Sequence, residues 1–479
     1  MARGYVLHTL GCKANSYDGQ LIEQELQKRG WQPVSATEAD VCIVNSCTVT
    51  DEADRQSRKL AARMKRQNPN ARVVVTGCGA EVDPERMAAS AGIDYVIGNQ
   101  DKPNFVDLML AAVARGEARP LVGDGIVLGG TESYEELRSR HPEDRIWPIA
   151  DESLFTPATE LAGTGARTRA FMKIQDGCNA FCTYCIIPYG RGPTRSLEAS
   201  AVITQVQELV ARGIREVVLT GINLGDYGLD WSEQAQLPGL LTRMFSETRI
   251  ERVRLSSLDP LEIEPEIFRL VETEPRLCPH FHVSLQSPHA RILKLMKRKY
   301  SSSDVEACLK RIAALKPAGG GQVFVGMDLI TGFPGESEAD FDWTVLALST
   351  LPWSRLHVFP YSERAGTPAT RLPGVVPPQE RARRAKRLRA LSFERLKQVY
   401  QAARLGSEGR IHNVLLESKV RGPAPGNWVS GYSPHYHRVL MATEAGWTGE
   451  NQLTDVRIES IHEDPASGDV AFLGRPVDS

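Results

Sequence analysis

The 479 residues contain no apolar run approaching the ~18 that a membrane-spanning helix needs, so no span is expected. The chain opens MARGYVLHTLGCK and enters a strand pattern at once, which leaves no space for the basic, apolar and cleavage regions of a secretory leader. A cytoplasmic protein without membrane contact is expected. Net charge is only −2, which by itself says nothing in favour of a nucleic-acid partner. Cysteine pairing is also incomplete: nine thiols cannot close a full disulfide framework, and a reducing compartment keeps them as thiols or metal ligands. The ten histidines lack metal-ligand spacing. His280 and His282 stand two apart, which one polar strand face explains at least as well.

What is present points to a multidomain globular protein. At ~150 residues per domain the length allows about three domains, and 42% hydrophobic with 24% charged residues suffices for a sizeable core. Charge is unevenly placed: Arg381 to Arg438 holds 13 Lys/Arg against 3 Asp/Glu. Such asymmetry points to a nucleic-acid or membrane contact. Residues 1–115 alternate strands (GYVLHTL, DVCIVNS, RVVVTG, DYVIG) with helical patterns, which predicts a doubly wound parallel sheet. Residues 116–166, rich in Gly, Pro, Asp and Glu, read as a linker.

A second α/β run over 167–400 offers six strands, AFMKIQ, EVVLTGI, RVRLSSL, HFHVSLQ, GMDLITGF and RLHVFPY. They suggest a partial (β/α) barrel, with an open sheet as the alternative. A long basic helix should start after Pro377-Pro378 and stop near Gly406. Short strands over 404–477 suggest a small all-β barrel. The overall class is therefore α/β with a C-terminal all-β module.

The cysteines are placed by this pattern. YVLHTLGC, DVCIVNSC and VVVTGC deliver Cys12, Cys47 and Cys78 just past the carboxyl ends of three strands, the edge at which such sheets build their sites. DGCNAFCTYC puts Cys178, Cys182 and Cys185 at C-x3-C-x2-C spacing in the loop after the first barrel strand. Closely spaced thiolates hold iron–sulfur clusters. Three thiolates on a four-iron cubane leave one iron open for a substrate. A zinc knuckle is the alternative, although structural zinc is normally closed by four protein ligands and no nearby His or Cys supplies the fourth. Cys42, within a strand, reads as core, and Cys278 and Cys308 match no ligand block.

C-x3-C-x2-C with Tyr184 before its last cysteine resembles the radical S-adenosylmethionine (SAM) enzymes. TLGCKAN, VNSCTVT, VTGCGAE, DGCNAFCTYCIIPYGRGPTRS, VVLTGINLGDYG, RVRLSSLDP, DLITGFPGE and HVFPYSERAGTPA, in that order, resemble the successive blocks of the methylthiotransferases. The resemblance implies an N-terminal cluster domain (1–115), a radical-SAM domain (167–400) and a TRAM-like RNA-binding domain (404–477). It implies two 4Fe–4S clusters, one on Cys178, Cys182 and Cys185 that binds and cleaves SAM, and an auxiliary one on Cys12, Cys47 and Cys78. It places Gly221 and Asn223 of LTGINLG near the SAM amino group, with Gln286 of SLQS a further contact pointing into the barrel.

The implied reaction is methylthiolation of a tRNA base using two SAM and sulfur from the auxiliary cluster. The implied partners are the tRNA anticodon stem-loop, a small electron carrier such as flavodoxin or ferredoxin, and a sulfur donor. GCKAN resembles the branch acting on N6-threonylcarbamoyladenosine beside the anticodon, although Asp18 stands where Glu is usual and Pro288 where Gly is usual. The family alternatives act on N6-isopentenyladenosine in tRNA or on a ribosomal protein. A non-catalytic iron–sulfur RNA-binding protein and a zinc-binding RNA protein are the alternatives of other classes. The candidate RNA contacts lie in the basic stretch: the helix Arg381–Lys397 reads as a phosphate-contacting or merely solvated face, and Trp428, Tyr432, Tyr436 and Arg438 read as base-stacking planes or barrel core.

Overall fold

The computed structural model describes residues 3–99, 101–115, 168–232, 236–424, 426–444 and 447–477; the linker expected at 116–166 lies outside the described residues. At the N-terminus, β1 (Gly4–Thr9), β2 (Gln32–Pro33), β3 (Val41–Ser46), β4 (Arg72–Gly77) and β5 (Tyr95–Val96) form a parallel sheet in the order β2-β1-β3-β4-β5. The β-branched runs bury both faces, as a parallel sheet requires. Val41, Ile43 and Val74 pack with Ile22, Leu26 and Phe105 on one side. Cys42, Val44, Val73 and Val75 pack with Ala61, Met64 and Met87 on the other. Cys42 is thus core, and the carboxyl ends of β1, β3 and β4 share one rim.

The central strands are β6 (Arg169–Lys173), the antiparallel ribbon β7 (Gln175–Asp176) and β8 (Arg195–Ser196), then β9 (Glu216–Thr220) and β10 (Arg252–Leu255). One residue further the chain resumes as β11 (Ser257–Leu258), followed by β12 (His280–Gln286), β13 (Phe324–Thr331) and β14 (Arg355–Pro360). Parallel pairing runs β6-β9-β10 and β11-β12-β13-β14, so the strands form one arc of six positions. No ladder joins β14 to β6 among the described residues. This is the partial barrel rather than a flat open sheet. Met172, Leu219, Val253, Phe281, Val283 and Met327 pack outward against helices. Because strand side chains alternate, the inward set is polar: Arg169, Glu216, Arg254, His280, His282, Asp328 and His357.

The helix Pro378–Gly406 lies along β14 and leads to β15 (Arg410–Val420), β16 (Asn427–Tyr432), β17 (Arg438–Thr443), β18 (Leu453–Asp464) and β19 (Asp469–Pro476). These close a five-stranded, TRAM-like barrel in the order β15-β16-β17-β19-β18 around Val414, Val429, Val439, Val456 and Phe472. Among the described residues no helix is long and apolar enough to cross a membrane.

The small barrel covers the amino-terminal end of the large one. Arg252 donates to the carbonyls of Tyr432 and Ser433, each at 3.1 Å, and Arg254 to that of Pro434 at 3.0 Å. Tyr436 packs on His280, ring centroids 4.5 Å apart. Glu216 lies beneath them. Burial would raise its pKa, but Arg252, Arg254 and Arg169 outweigh burial and hold it at about 2. His437 is buried and kept neutral, its pKa pushed down to about 3 mainly by burial.

The sign of the pH effect follows. His437 contributes stability that is full above its ordinary 6.5 and declines as pH falls toward about 3. Glu216 contributes stability that is full above its ordinary 4.5 and is lost as pH falls toward about 2. Melting temperature measured anaerobically should therefore fall below pH 6.5 and fall more steeply below pH 4.5. A flat profile between pH 7 and 4 would contradict this.

Candidate active site

Each predicted thiol of the N-terminal domain follows a strand. Cys12 is the N-cap of the helix Lys13–Lys28, Cys47 follows β3, and Cys78 opens the short helix Cys78–Val82. The three thiols lie within electrostatic reach of one another. Two glycines make the approach possible. A Cβ on Gly11, at φ +97°, would stand 2.6 Å from Cys47 Sγ, and one on Gly77, at φ +94°, 2.4 Å from the Ser46 carbonyl oxygen. Asn15 fastens the rim: its Nδ2 donates to the carbonyls of Leu10 at 2.6 Å and Ser46 at 3.1 Å. Burial pushes the Cys47 thiol up to about 11, against a backbone N–H from Val49 that favours the thiolate.

Cys178, Cys182 and Cys185 gather in the loop after β7. Gly177, at φ +75°, starts it, and a Cβ there would meet the Pro193 carbonyl oxygen at 1.8 Å. Thr183 bolts the loop to the barrel through its N–H to Met296 O at 3.1 Å and its hydroxyl to Leu295 O at 2.8 Å. The N–H of Ala180 points at Cys178 Sγ at 3.4 Å, and Arg298 Nη1 at Cys182 Sγ at 3.0 Å. Burial raises the Cys178 pKa to about 12. Tyr184 stands edge-on to Phe333 of the TGFPGE loop, centroids 6.3 Å apart.

Among the described residues no three His, Cys, Asp or Glu side chains converge as they would on a single metal ion. A cubane binds each thiolate through a different iron and so needs its ligands further apart than mononuclear zinc does. Two trios of thiols met by N–H and guanidinium donors, each without a fourth protein ligand among the described residues, fit 4Fe–4S clusters with one open iron.

The remaining predicted contacts divide. Gly221 approaches Gln175, whose Oε1 a Cβ would reach at 2.7 Å and which accepts the N–H groups of Ile222 and Asn223, each at 2.9 Å. The Asn223 amide donates to Glu262 Oε1 at 2.9 Å. Both residues shape the loop, and the structure gives their side-chain positions an internal use. Gln286 differs. It ends β12 at φ +57°, beyond a register shift, and is only partly buried. Left-handed backbone at a non-glycine residue is strained and concentrates at functional sites.

Sequence reasoning missed the cluster that joins the two trios. Asp18 Oδ1 takes Lys173 Nζ at 2.6 Å, and Asp18 Oδ2 takes Lys102 at 2.8 Å and Arg191 at 2.9 Å. Asp176 takes the same Lys173 at 2.6 Å and Arg191 at 2.9 Å. Burial alone would raise both carboxyls, yet the cations hold both well below the ordinary range. Arg191 is 1% exposed, and a Cβ on its neighbour Gly190 would touch Cys78 at 3.4 Å. The segment from Cys185 to Arg191 thus runs from one trio to the other. Only the departure at Asp18 hinted at it.

The basic helix also departs from expectation. Arg381 bonds Tyr361 O and Glu363, Arg383 and Arg384 bond Glu338, and Arg387 bonds Asp342. Arg389 and Arg395 donate to carbonyls of Val358 and Leu351, and Lys397 pairs with Glu394. Among the described residues Lys386 alone of these cations has no such partner. The helix is a structural brace on the barrel. Tyr432 and Tyr436 stack on each other at 5.0 Å under the large barrel, Trp428 bonds Ala424 O, and Arg438 pairs with Asp469 at 2.7 Å.

A partial parallel barrel, a thiol trio in the loop after its first strand and a second trio on an apposed sheet define a radical-SAM enzyme with an added cluster domain. The Radical SAM superfamily matches residues 172–348, and the uncharacterized protein family UPF0004 matches residues 4–98. The relative named threonylcarbamoyladenosine tRNA methylthiotransferase MtaB from Aquifex aeolicus is 36% identical over 394 residues, 82% of this chain and 88% of that protein. Its namesake from Bacillus subtilis is 36% identical over 438 residues, 91% and 89% of the two chains. In fold, the chain resembles the radical SAM methyltransferase TsrM of Kitasatospora setae at TM-score 0.52 and 18% identity, over 77% of each chain. The chain belongs to the radical-SAM methylthiotransferase family.

Proposed function

We propose that the protein converts N6-threonylcarbamoyladenosine beside the tRNA anticodon to its 2-methylthio derivative. The observation that carries this reading is the pair of three-thiol sets joined by the segment from Cys185 to Arg191. Cys178, Cys182 and Cys185 would hold the SAM-binding cluster, and Cys12, Cys47 and Cys78 the auxiliary one. With these bound, the clusters supply electrons and sulfur, and SAM supplies the methyl group and the radical that activates the base C–H bond. The chain's own residues position and enclose. The N–H of Ala180 and the guanidinium of Arg298 stabilise thiolate charge, and Gln175 holds the loop that carries Gly221 and Asn223. Gln286, at the end of β12, would contact SAM.

Residues 1–115, 167–400 and 404–477 would act as cluster, radical-SAM and RNA-binding domains. With the long helix committed to bracing, a groove lined by Arg404, Arg410, His412 and Arg457 is the better phosphate-contacting surface. A cytoplasmic setting, a flavodoxin- or ferredoxin-like electron donor and a separate sulfur donor complete the reading. Nucleoside mass spectrometry of tRNA from a deletion strain should show loss of the methylthiolated threonylcarbamoyl nucleoside alone. Loss of the methylthiolated isopentenyl nucleoside instead would move the enzyme to the other tRNA branch.

A further inference from the structure

Lys13 occupies an unusual place. It is the first residue of the helix Lys13–Lys28, where the helix dipole disfavours a cation, and that first turn has no acidic residue. Its N-cap, Cys12, makes no side-chain capping bond. The side chain does not turn back to solvent. It enters the lumen of the large barrel, close to Asp328, Tyr436, Arg169 and Arg254, and its charge is felt by His280 and His357. It is partly buried.

The carboxylates around it are outnumbered. Glu216 is taken by Arg252 at 2.6 Å and Arg254 at 2.8 Å, and Glu417 by Arg169 at 2.6 Å. Asp328 Oδ1 lies 2.9 Å from His282 Nε2 without a hydrogen bond, and its charge favours the Lys13 ammonium. Arg254 uses its other hydrogens on the carbonyls of Ser433 and Pro434. Lys13, Arg169, Arg252 and Arg254 thus face three carboxylates, and Lys13 is the cation with no hydrogen-bond or ion-pair partner among the described residues. An enclosed group with one cation in excess is costly unless a ligand completes it.

We propose that Lys13 Nζ docks a carboxylate carried by the substrate base and thereby sets which modified adenosine the enzyme accepts. This rests on the proposed function, since the lumen is where that base must enter. Lys13 directly follows Cys12, which ties the residue that would hold the anion to the auxiliary trio through the backbone. The threonylcarbamoyl group ends in a carboxylate, whereas an isopentenyl group offers only hydrocarbon. The same adenine is therefore sorted by one charge supplied from the cluster domain rather than from the barrel wall.

The test uses anaerobically reconstituted enzyme with both clusters and two anticodon stem-loops that differ only at one adenosine, threonylcarbamoylated or isopentenylated. Wild-type enzyme should prefer the first. Lys13→Met should weaken binding of the threonylcarbamoyl stem-loop by about tenfold or more, as expected for loss of one partner of an enclosed charge pair. Binding of the isopentenyl stem-loop should stay unchanged, with iron and sulfide contents equal to wild type. Lys13→Arg should keep most of the preference. Equal weakening of both stem-loops, or no change in either, overturns the assignment of Lys13. If wild-type enzyme itself shows no preference for the carboxylate-bearing stem-loop, the substrate reading fails and this assignment falls with it.

Discussion

Replacing Cys12, Cys47 and Cys78 together with alanine should abolish methylthiolated product while leaving roughly half the iron, because one three-thiolate cluster remains. The surviving trio lies in a different loop, fixed to the barrel through Thr183 and Arg298 rather than through the N-terminal sheet. Reductive cleavage of SAM to 5′-deoxyadenosine and methionine should therefore continue in the variant. The reciprocal replacement of Cys178, Cys182 and Cys185 should also leave roughly half the iron but eliminate SAM cleavage along with product. The two variants thus separate by one readout, 5′-deoxyadenosine, although both lose product completely. Product from the first variant, or full iron in either, would break the assignment of two clusters to two trios. Colourless protein retaining zinc would favour the RNA-binding zinc alternative.

Much of this arrangement was legible in the chain because it rests on local signals. Each β-branched run ending in Gly-Cys or Ser-Cys is a strand delivering a thiol, and the six barrel strands are short apolar runs bounded by turn residues. The elements that escaped notice are those whose pattern is weak. β2 is two residues at a sheet edge, and β16, read in GNWVSGY, mixes strand residues with Gly, Asn and Ser that signal turns. The ion pairs of the basic helix are hidden in the sequence for another reason. The partners of Arg383, Arg384 and Arg387 are Glu338 and Asp342, about one helix and one strand earlier in the chain, and no periodicity announces pairs at that distance. Lys13 was visible as part of GCKAN, but its placement in the lumen depends on how the N-terminal sheet covers the open side of the arc. Asp51 N–H to Ser362 Oγ at 3.0 Å and the Arg364–Thr48 bond hold one side of that cover. The Asp18–Lys173 pair holds the other.

That second seam gives the other large expected effect. Asp18→Asn removes the carboxylate that joins Lys102, Lys173 and Arg191, leaving Lys173 and Arg191 on Asp176 alone and Lys102 without a carboxylate. Breaking a buried pair from one side costs about 3–5 kcal/mol, because the uncompensated charge stays buried. The consequence should be local before it is global: the helix Lys13–Lys28 and β6 should lose hydrogen-exchange protection, while β17 and β19 keep theirs. Arg191→Met should act more strongly, since Arg191 bonds both Asp18 and Asp176 and packs beside Cys78. Asp18→Glu retains the charge but adds a methylene among contacts of 2.6 to 2.9 Å, so it should restore most of the protection, short of wild type. Unchanged exchange in Asp18→Asn would mean that water already screens these charges and that the seam is held by packing alone. If exchange rises as expected, product formation should fall even with both clusters loaded. The same salt bridges that join the sheets also set the distance between the trios, so loosening them separates the sulfur-bearing site from the radical-generating one.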